Sequence, residues 1–591
     1  MHIALRDVQL LKRIVWLIRC LALCLALFAF TVGAVWGQAP AGAITTTEDA
    51  ALVGPTGLVA RVGDRSVILH WDPVGEARLA GYHVYRVASA TGPVAPQRVA
   101  VPSNHFVDVA VDNGTTYQYR VRAVDPAGRE SHDSATVSAT PHRLEDAAFL
   151  DLVQHTAFDY FWYEANPENG LIKDRSSDPS LSSIAAVGFG LSALTVGIDR
   201  GWISREAGRA RVRTTLAFFW HSAQGPEADA TGYHGFYYHF LDMHTGRRAR
   251  GSELSTIDTA LLLGGVLHVQ QYFDQPDAPE AEIRALAEAL YRRIDWPWMQ
   301  VRSAKLCHGW TPETGFLRYD WGGYNEAMIL YLLALGSPSA PITAEAWTAW
   351  TSSYAWQTHY GQAFVVFPPL FGHQYSHVWI DFRGIQDAYM RAKGLDYFEN
   401  SRRATLANRA YAMANPQGWA AYGENVWGLT ASEIPSSYSA RGAPPPERDD
   451  GTISPTAAAG SFPFTPHESL AALRYMYATY RPQLWGPYGF TDAFNPSRQW
   501  FATEYLGIDQ GPIVLMLENA RTGRIWHVLR QHPAIQRGLA RAGFAPVAEA
   551  KQTSTSPELA PPTPPPEAQP AHPDMAPQTP PPETPPTQQR S

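Results

Sequence analysis

TALLLGGVLHVQQYF, residues 259–273, carries apolar side chains around nearly its whole circumference when wound as a helix, with two adjacent glycines at 264 and 265. A helix that is apolar all round cannot face water, so this stretch predicts a helix buried among other helices. Further runs have the same character: EDAAFLDLVQHTAFDYFWYEA (145–165), IAAVGFGLSALTVGI (184–198) and NEAMILYLLAL (325–335). REAGRARVRTTLAFFWH (205–221) is amphipathic. Between these runs lie loops rich in Gly, Pro, Trp and Tyr. The helical signal spans 145–535 and has no repeat of fixed period, which predicts helical hairpins packed in layers rather than a regular solenoid.

Upstream the pattern changes. SVILHW (66–71), GYHVYRV (81–87), HFVDVAV (105–111), TTYQYRVRAV (115–124) and SATVSAT (134–140) are short alternating segments separated by turn residues, the signature of a β-sandwich over 51–141. Residues 1–43 hold Arg6, Lys12, Arg13 and Arg19, then CLALCLALFAFTVGAVW and small residues. That layout is an export signal, and its length fits either a cleaved leader or a retained anchor; a membrane is expected as a partner only through this segment. Residues 548–591 are dominated by proline and are expected to be a disordered tail.

The chain has 591 residues and a formal net charge of -8, without the basic footprint that nucleic acid requires. Of its three cysteines, Cys20 and Cys24 lie in the N-terminal apolar run. Cys307 alone can form neither an internal disulfide nor a cysteine zinc site. Aromatic residues reach 12%, with 19 Trp, which suits either a sugar-stacking cleft or a large helical core.

Four polar clusters interrupt the helical pattern. In SELSTID (252–258), Ser255 and Asp258 make a helix-capping pattern, which leaves Glu253 in the preceding loop without a capping task. In KDRSSD (173–178), Asp174 and Asp178 bracket Arg175; they suit either a helix cap or a sugar site. Asp449 and Asp450 precede Gly451 in a DDG turn. In FGHQYSHVW (371–379), His373 and His377 have metal-ligand spacing, but the HExxH pattern is absent, so hydrogen bonding to sugar or core packing is the expectation and no metal or cofactor is.

The segments DYFWYEANPENGLIKDRS, SELSTIDTALLLGG, YNEAMILYLLALGSP, PPLFGHQYSHVWIDFRG, YGENVWGLTASE and DDGTISPTAAAGSFPF together resemble the glucoamylase-like domain of bacterial endo-β-1,2-glucanases, related in turn to a domain of cyclic β-1,2-glucan synthases. Residues 51–141 resemble a fibronectin type III domain, with Trp71 at the buried-Trp position and Tyr117 at the tyrosine corner. The resemblance implies an all-α (α/α)6 toroid preceded by an all-β sandwich. It also implies inverting hydrolysis of β-1,2-glucan, with no cofactor.

Glu253 matches the family's acidic position and is expected to be the general acid, kept protonated by burial against the pull of a nearby helix N-terminus. Asp174 and Asp178 match acidic cleft positions, and Asp449 is expected to position or activate water. Arg175, Tyr324, Glu326, His373, Trp379 and Trp427 are expected to bind sugar. One departure is visible: where the family has Asp-Gly-Pro after WGLTAS, this chain has Glu433, Ile434 and Pro435. A hydrolase of other glucosides and a non-catalytic glucan-binding surface protein are the competing readings.

Overall fold

The computed structural model describes residues 52–88, 97–177 and 179–547. The expected export segment, the expected proline-rich tail and Asp178 lie outside these residues. Among the described residues no helix is long and apolar enough to cross a membrane.

Seven strands form the N-terminal unit: β1 (Val59–Gly63), β2 (Ser66–His70), β3 (Gly81–Ala88), β4 (Gln97–Val101), β5 (His105–Asp108), β6 (Tyr117–Val124) and β7 (Val137–Ala139). They make two antiparallel sheets, ordered β1-β2-β5 and β4-β3-β6-β7. Inward residues of both sheets, including Val67, Leu69, Trp71, Tyr82, Val84 and Tyr119, share one core, as alternation of side chains across the strands requires. Tyr117 closes the corner by accepting from the Asp112 amide through its hydroxyl at 3.0 Å.

The rest is helical, with small two- and three-stranded ribbons in the segments between the helices. Its central elements are α1 (Asp146–Tyr163), α2 (Ile184–Asp199), α3 (Arg205–His221), α4 (Thr256–Tyr272) and α5 (Gly507–Thr522). The quoted stretch lies in α4, where all residues from Thr256 to Val269 are buried. Its double glycine has a packing cause. A Cβ on Gly265 would sit 2.1 Å from the Gly188 carbonyl oxygen of α2, and one on Gly188 would sit 2.2 Å from that of Leu261. The helices therefore meet backbone to backbone. Gly265→Ala should destabilise the protein by about 1–3 kcal/mol through overpacking, read as a lowered midpoint of thermal unfolding.

The sandwich is docked on the helical unit rather than tethered beside it. Arg61 pairs with Asp159 of α1, and the His70 ring stacks on Tyr163 with centroids 4.6 Å apart. The Tyr477 hydroxyl meets Ser66 Oγ at 2.8 Å and donates to the Asp64 carbonyl at 3.0 Å. Ile68 belongs to the core of the helical unit.

Burial holds His70 well below the usual histidine range and His105 at about 4. Arg61 and His105 press on His70 in the same direction, while Glu164 partly offsets the effect on His105. Asp159, whose carboxylate lies 3.6 Å from His70 Nε2, is engaged by Arg61. A histidine whose folded pKa is depressed stabilises the fold fully above its unfolded pKa of about 6.5 and less as pH falls below it. Thermal stability should therefore decline from pH 6.5 toward pH 4, and His105→Phe should flatten that decline.

Candidate active site

Local sequence builds the site from one repeated device: a short strand, a serine cap, and a helix start. Strand Leu181–Ser183 leads into α2, and strand Leu254–Ser255 leads into α4. Ser183 accepts from the Ala186 amide, and Ser255 accepts from the Asp258 amide at 3.2 Å. The expected capping pattern at 255–258 is thus present, and Ser255 also donates to the Asp258 carboxylate at 2.5 Å. Capping is only half of what Asp258 does, because its side chain also reaches a cavity.

That cavity measures about 390 Å³. Its polar wall is Asp174, Arg175, His239, Asp258 and Glu326; its apolar wall includes Phe240, Phe371, Tyr375, Tyr438 and Ile508. A pocket with apolar faces and a few convergent polar groups is what a sugar ring needs. These residues come from loops and helix starts far apart in the chain.

His239 is the hinge of the polar wall. Its Nδ1 lies 3.1 Å from Glu253 Oε1, and its Nε2 lies 3.7 Å from Asp258 Oδ2. Burial is the largest single influence on His239 and pulls its pKa down. Asp258, Glu253 and Asp174 together outweigh burial and carry it to about 9. Burial likewise pushes Glu253 up, but the hydrogen bond and charge of His239 prevail and leave it below the usual glutamate range. The expectation was that desolvation wins at Glu253; in the free protein burial and His239 pull it in opposite directions, and the combined pull of His239 is the larger. Glu253 stands half-buried beside His239 and is not part of the cavity wall.

Glu326, expected only to bind sugar, has the opposite environment. Burial, reinforced by the charge of Asp258, raises it to about 7, and its Oε2 is buried with no protein partner. Asp174 is also raised by burial, more than Arg175 lowers it. Arg175 spans the wall, 3.5 Å from Asp174, 3.1 Å from Glu433 and 3.4 Å from Glu504. Glu433 itself is raised to about 7 by burial and by Asp492 and Glu504.

The departure at 433–435 falls at the tip of a regular hairpin, Ala431–Ile434 with Ser437–Ala440, in which Ile434 pairs with Ser437. Tyr438 of that hairpin faces the cavity.

Asp449 is held by four donors: the hydroxyls of Tyr411 and Tyr422 at 2.6 Å each, Trp419 Nε1 at 3.1 Å and the Gly451 amide at 3.1 Å. None of these partners belongs to the cavity wall. Four of the expected sugar contacts are core residues. Trp379 is 1% exposed and donates to Ser192, and Trp427 is fully buried. Tyr324 packs against His373 at 4.8 Å, and His373 bonds the Phe367 carbonyl at 3.1 Å. His377 bonds Ser401 at 3.1 Å. Both histidines are pushed to about 3 by burial, so their four-residue spacing serves packing. Among the described residues, His239, Glu253 and Asp258 form a group whose donor atoms all lie within 4.8 Å. That span would fit a divalent ion, but His239 already supplies the positive charge between the two carboxylates.

His239 and Tyr438 escaped the sequence reading because nothing local marks a lone histidine or a hairpin tyrosine. Asp258 escaped it because its capping task was a sufficient explanation.

Residues 318–533 match the family model described as putative glucoamylase. The chain is 33% identical over 527 residues, 83% of its length and 71% of the relative's, to an exo β-1,2-glucooligosaccharide sophorohydrolase of Parabacteroides distasonis. The crystal structure of a β-1,2-glucanase from Parabacteroides distasonis superposes with a TM-score of 0.76 at 33% identity, covering 84% of this chain and 73% of that one. An endo-β-1,2-glucanase from Chitinophaga pinensis, crystallised with sophorotriose and glucose, superposes with a TM-score of 0.62 at 32% identity, covering 68% and 99%. With its helical unit, its acid-lined cavity and this extent of identity, the chain belongs to the glucoamylase-like family of glycoside hydrolases.

Proposed function

We propose that this protein is an exported hydrolase of β-1,2-glucan, whose helical unit is an (α/α)6 toroid and whose reaction inverts the anomeric centre. The observation that carries the reading is a pair of glutamates with opposed environments, one in the cavity wall and one joined to that wall through His239: Glu326 is raised to about 7, and Glu253, 3.1 Å from His239 Nδ1, is lowered by it. Environments that drive two carboxyls apart are how acid and base are assigned. Glu326 protonates the glycosidic oxygen as the C1–O bond breaks. Glu253 takes a proton from the water that attacks C1 from the opposite face, so charge balances and the product leaves with inverted configuration. Such a pair stands about 6.5–9.5 Å apart, leaving room for that water. Asp174 and Arg175 hold sugar hydroxyls, offering an acceptor and a donor side by side, and Tyr438 and Phe371 cover the apolar ring faces.

A second assignment is favoured by one observation. Burial is the largest single influence on Glu253, so a sugar that excludes further water and separates it from His239 would return its proton. Glu253 would then be the donor, and Asp449 would order the water. The pH dependence of Glu326→Gln and Glu253→Gln separates the two.

Purified protein incubated with linear β-1,2-glucan should release reducing ends, whereas laminarin and starch should not react. Proton NMR during the first minutes should show the α-anomer before mutarotation. Cleavage of starch alone would replace the substrate, and binding without new reducing ends would replace the enzyme by a binding protein.

A further inference from the structure

We propose that the β-sandwich braces the catalytic cavity, with Tyr488 as the positioning residue that links His70 and His105 to the segment 173–176. The assignment rests on contacts arriving at one tyrosine from both units. On the sandwich side, His70 lies against Tyr488 with centroids 6.0 Å apart, and His105 lies at 5.5 Å. The Pro487 carbonyl meets His70 Nε2 at 3.3 Å. Tyr488 is 1% exposed, so it touches only protein.

On the cavity side three routes leave Tyr488. Its hydroxyl donates to Glu164 Oε1 at 2.5 Å, and Glu164 Oε2 pairs with Lys173 at 2.5 Å. Its ring packs edge-on against Tyr160, 5.4 Å away, whose hydroxyl donates to the Lys173 carbonyl at 2.8 Å. It packs in the same manner against Tyr505, 5.2 Å away, whose carbonyl accepts from the Ser176 amide at 3.0 Å. The segment so held carries Asp174 and Arg175, which form part of the cavity wall. Loops owe their position to such contacts, and packed interiors transmit displacement rather than absorb it. The sandwich is thus part of the scaffold of the site, not a separate glucan-binding module on a tether.

The test uses the full chain. Hydrogen exchange at residues 173–176 should speed up at least tenfold in Tyr488→Phe and in His70→Ala. Ser66→Ala removes a sandwich contact that leads only to Tyr477, and it should leave that segment unchanged. Glu164→Gln serves as a second variant on the cavity side. In the glucan assay Tyr488→Phe should lower kcat/KM roughly 10- to 100-fold, as small misplacements of positioning groups do, while its unfolding midpoint stays near that of Ser66→Ala. Unchanged exchange at 173–176 in His70→Ala, or equal losses of kcat/KM in Tyr488→Phe and Ser66→Ala, would overturn the brace. The kinetic arm rests on the proposed glucan hydrolysis, whereas the exchange arm does not. A protein inactive on glucan would therefore sink the substrate and leave the brace decided by exchange.

Discussion

Glu326→Gln is expected to lower kcat/KM on a linear β-1,2-glucooligosaccharide by about 10²–10⁴-fold, the usual worth of a positioned proton donor. The wild-type profile should fall as pH rises through about 7, where Glu326 loses its proton. In the variant the residual activity should no longer fall there, because glutamine does not titrate. A variant that keeps its alkaline limb near 7 would strip Glu326 of the donor role. Stability offers a control. A buried carboxyl with a raised pKa stabilises the fold below its unfolded value near 4.5, and that contribution is lost as pH rises through the folded value. Glutamine carries no charge to bury, so at pH 8 the variant should unfold no earlier than the wild type. Lost activity then cannot be ascribed to a lost fold.

Glu253→Gln should cost about 10²–10⁴-fold as well, but on the other side of the profile. An ionised base fails only when it is protonated, so the wild-type acid limb lies below the ordinary glutamate range, the direction in which His239 drives Glu253. The variant should lose that limb and keep the alkaline one. It should also lower the pKa of His239 from about 9, since one of the carboxylates that raise it is gone; NMR titration of the imidazole would show this directly. If Glu253→Gln instead removes the alkaline limb, Glu253 is the donor, and Glu326→Gln should leave that limb in place.

Much of the architecture was legible along the chain. Continuous apolarity from 259 to 273 predicted burial, and α4 is buried over nearly its whole length. Alternation between 66 and 124 predicted strands, and the seven strands pair in two sheets. The cap at Ser255 was legible because a capping pair lies three residues apart and needs nothing from elsewhere. Glu253, Asp174 and Arg175 stood out because polar groups interrupted an otherwise apolar or small-residue context.

The aromatic and histidine assignments went wrong for a physical reason. Trp379, Trp427, Tyr324 and His373 sit in polar-looking motifs, yet they fill the core, and a motif does not say which of its faces turns inward.

The sequence by itself determined the local matters: which stretches are helix or strand, where α4 is capped, and which carboxyls lack a local task, since these depend on side-chain pattern within a few residues. Only the tertiary structure decided which way each carboxyl's hold on its proton is pushed. Glu253 and Glu326 are the same residue type, and they part ways because α4 and the loops around it bring His239 to one and leave the other buried without a counter-charge. Charge interactions of that kind act across space, between groups whose distance no local pattern encodes.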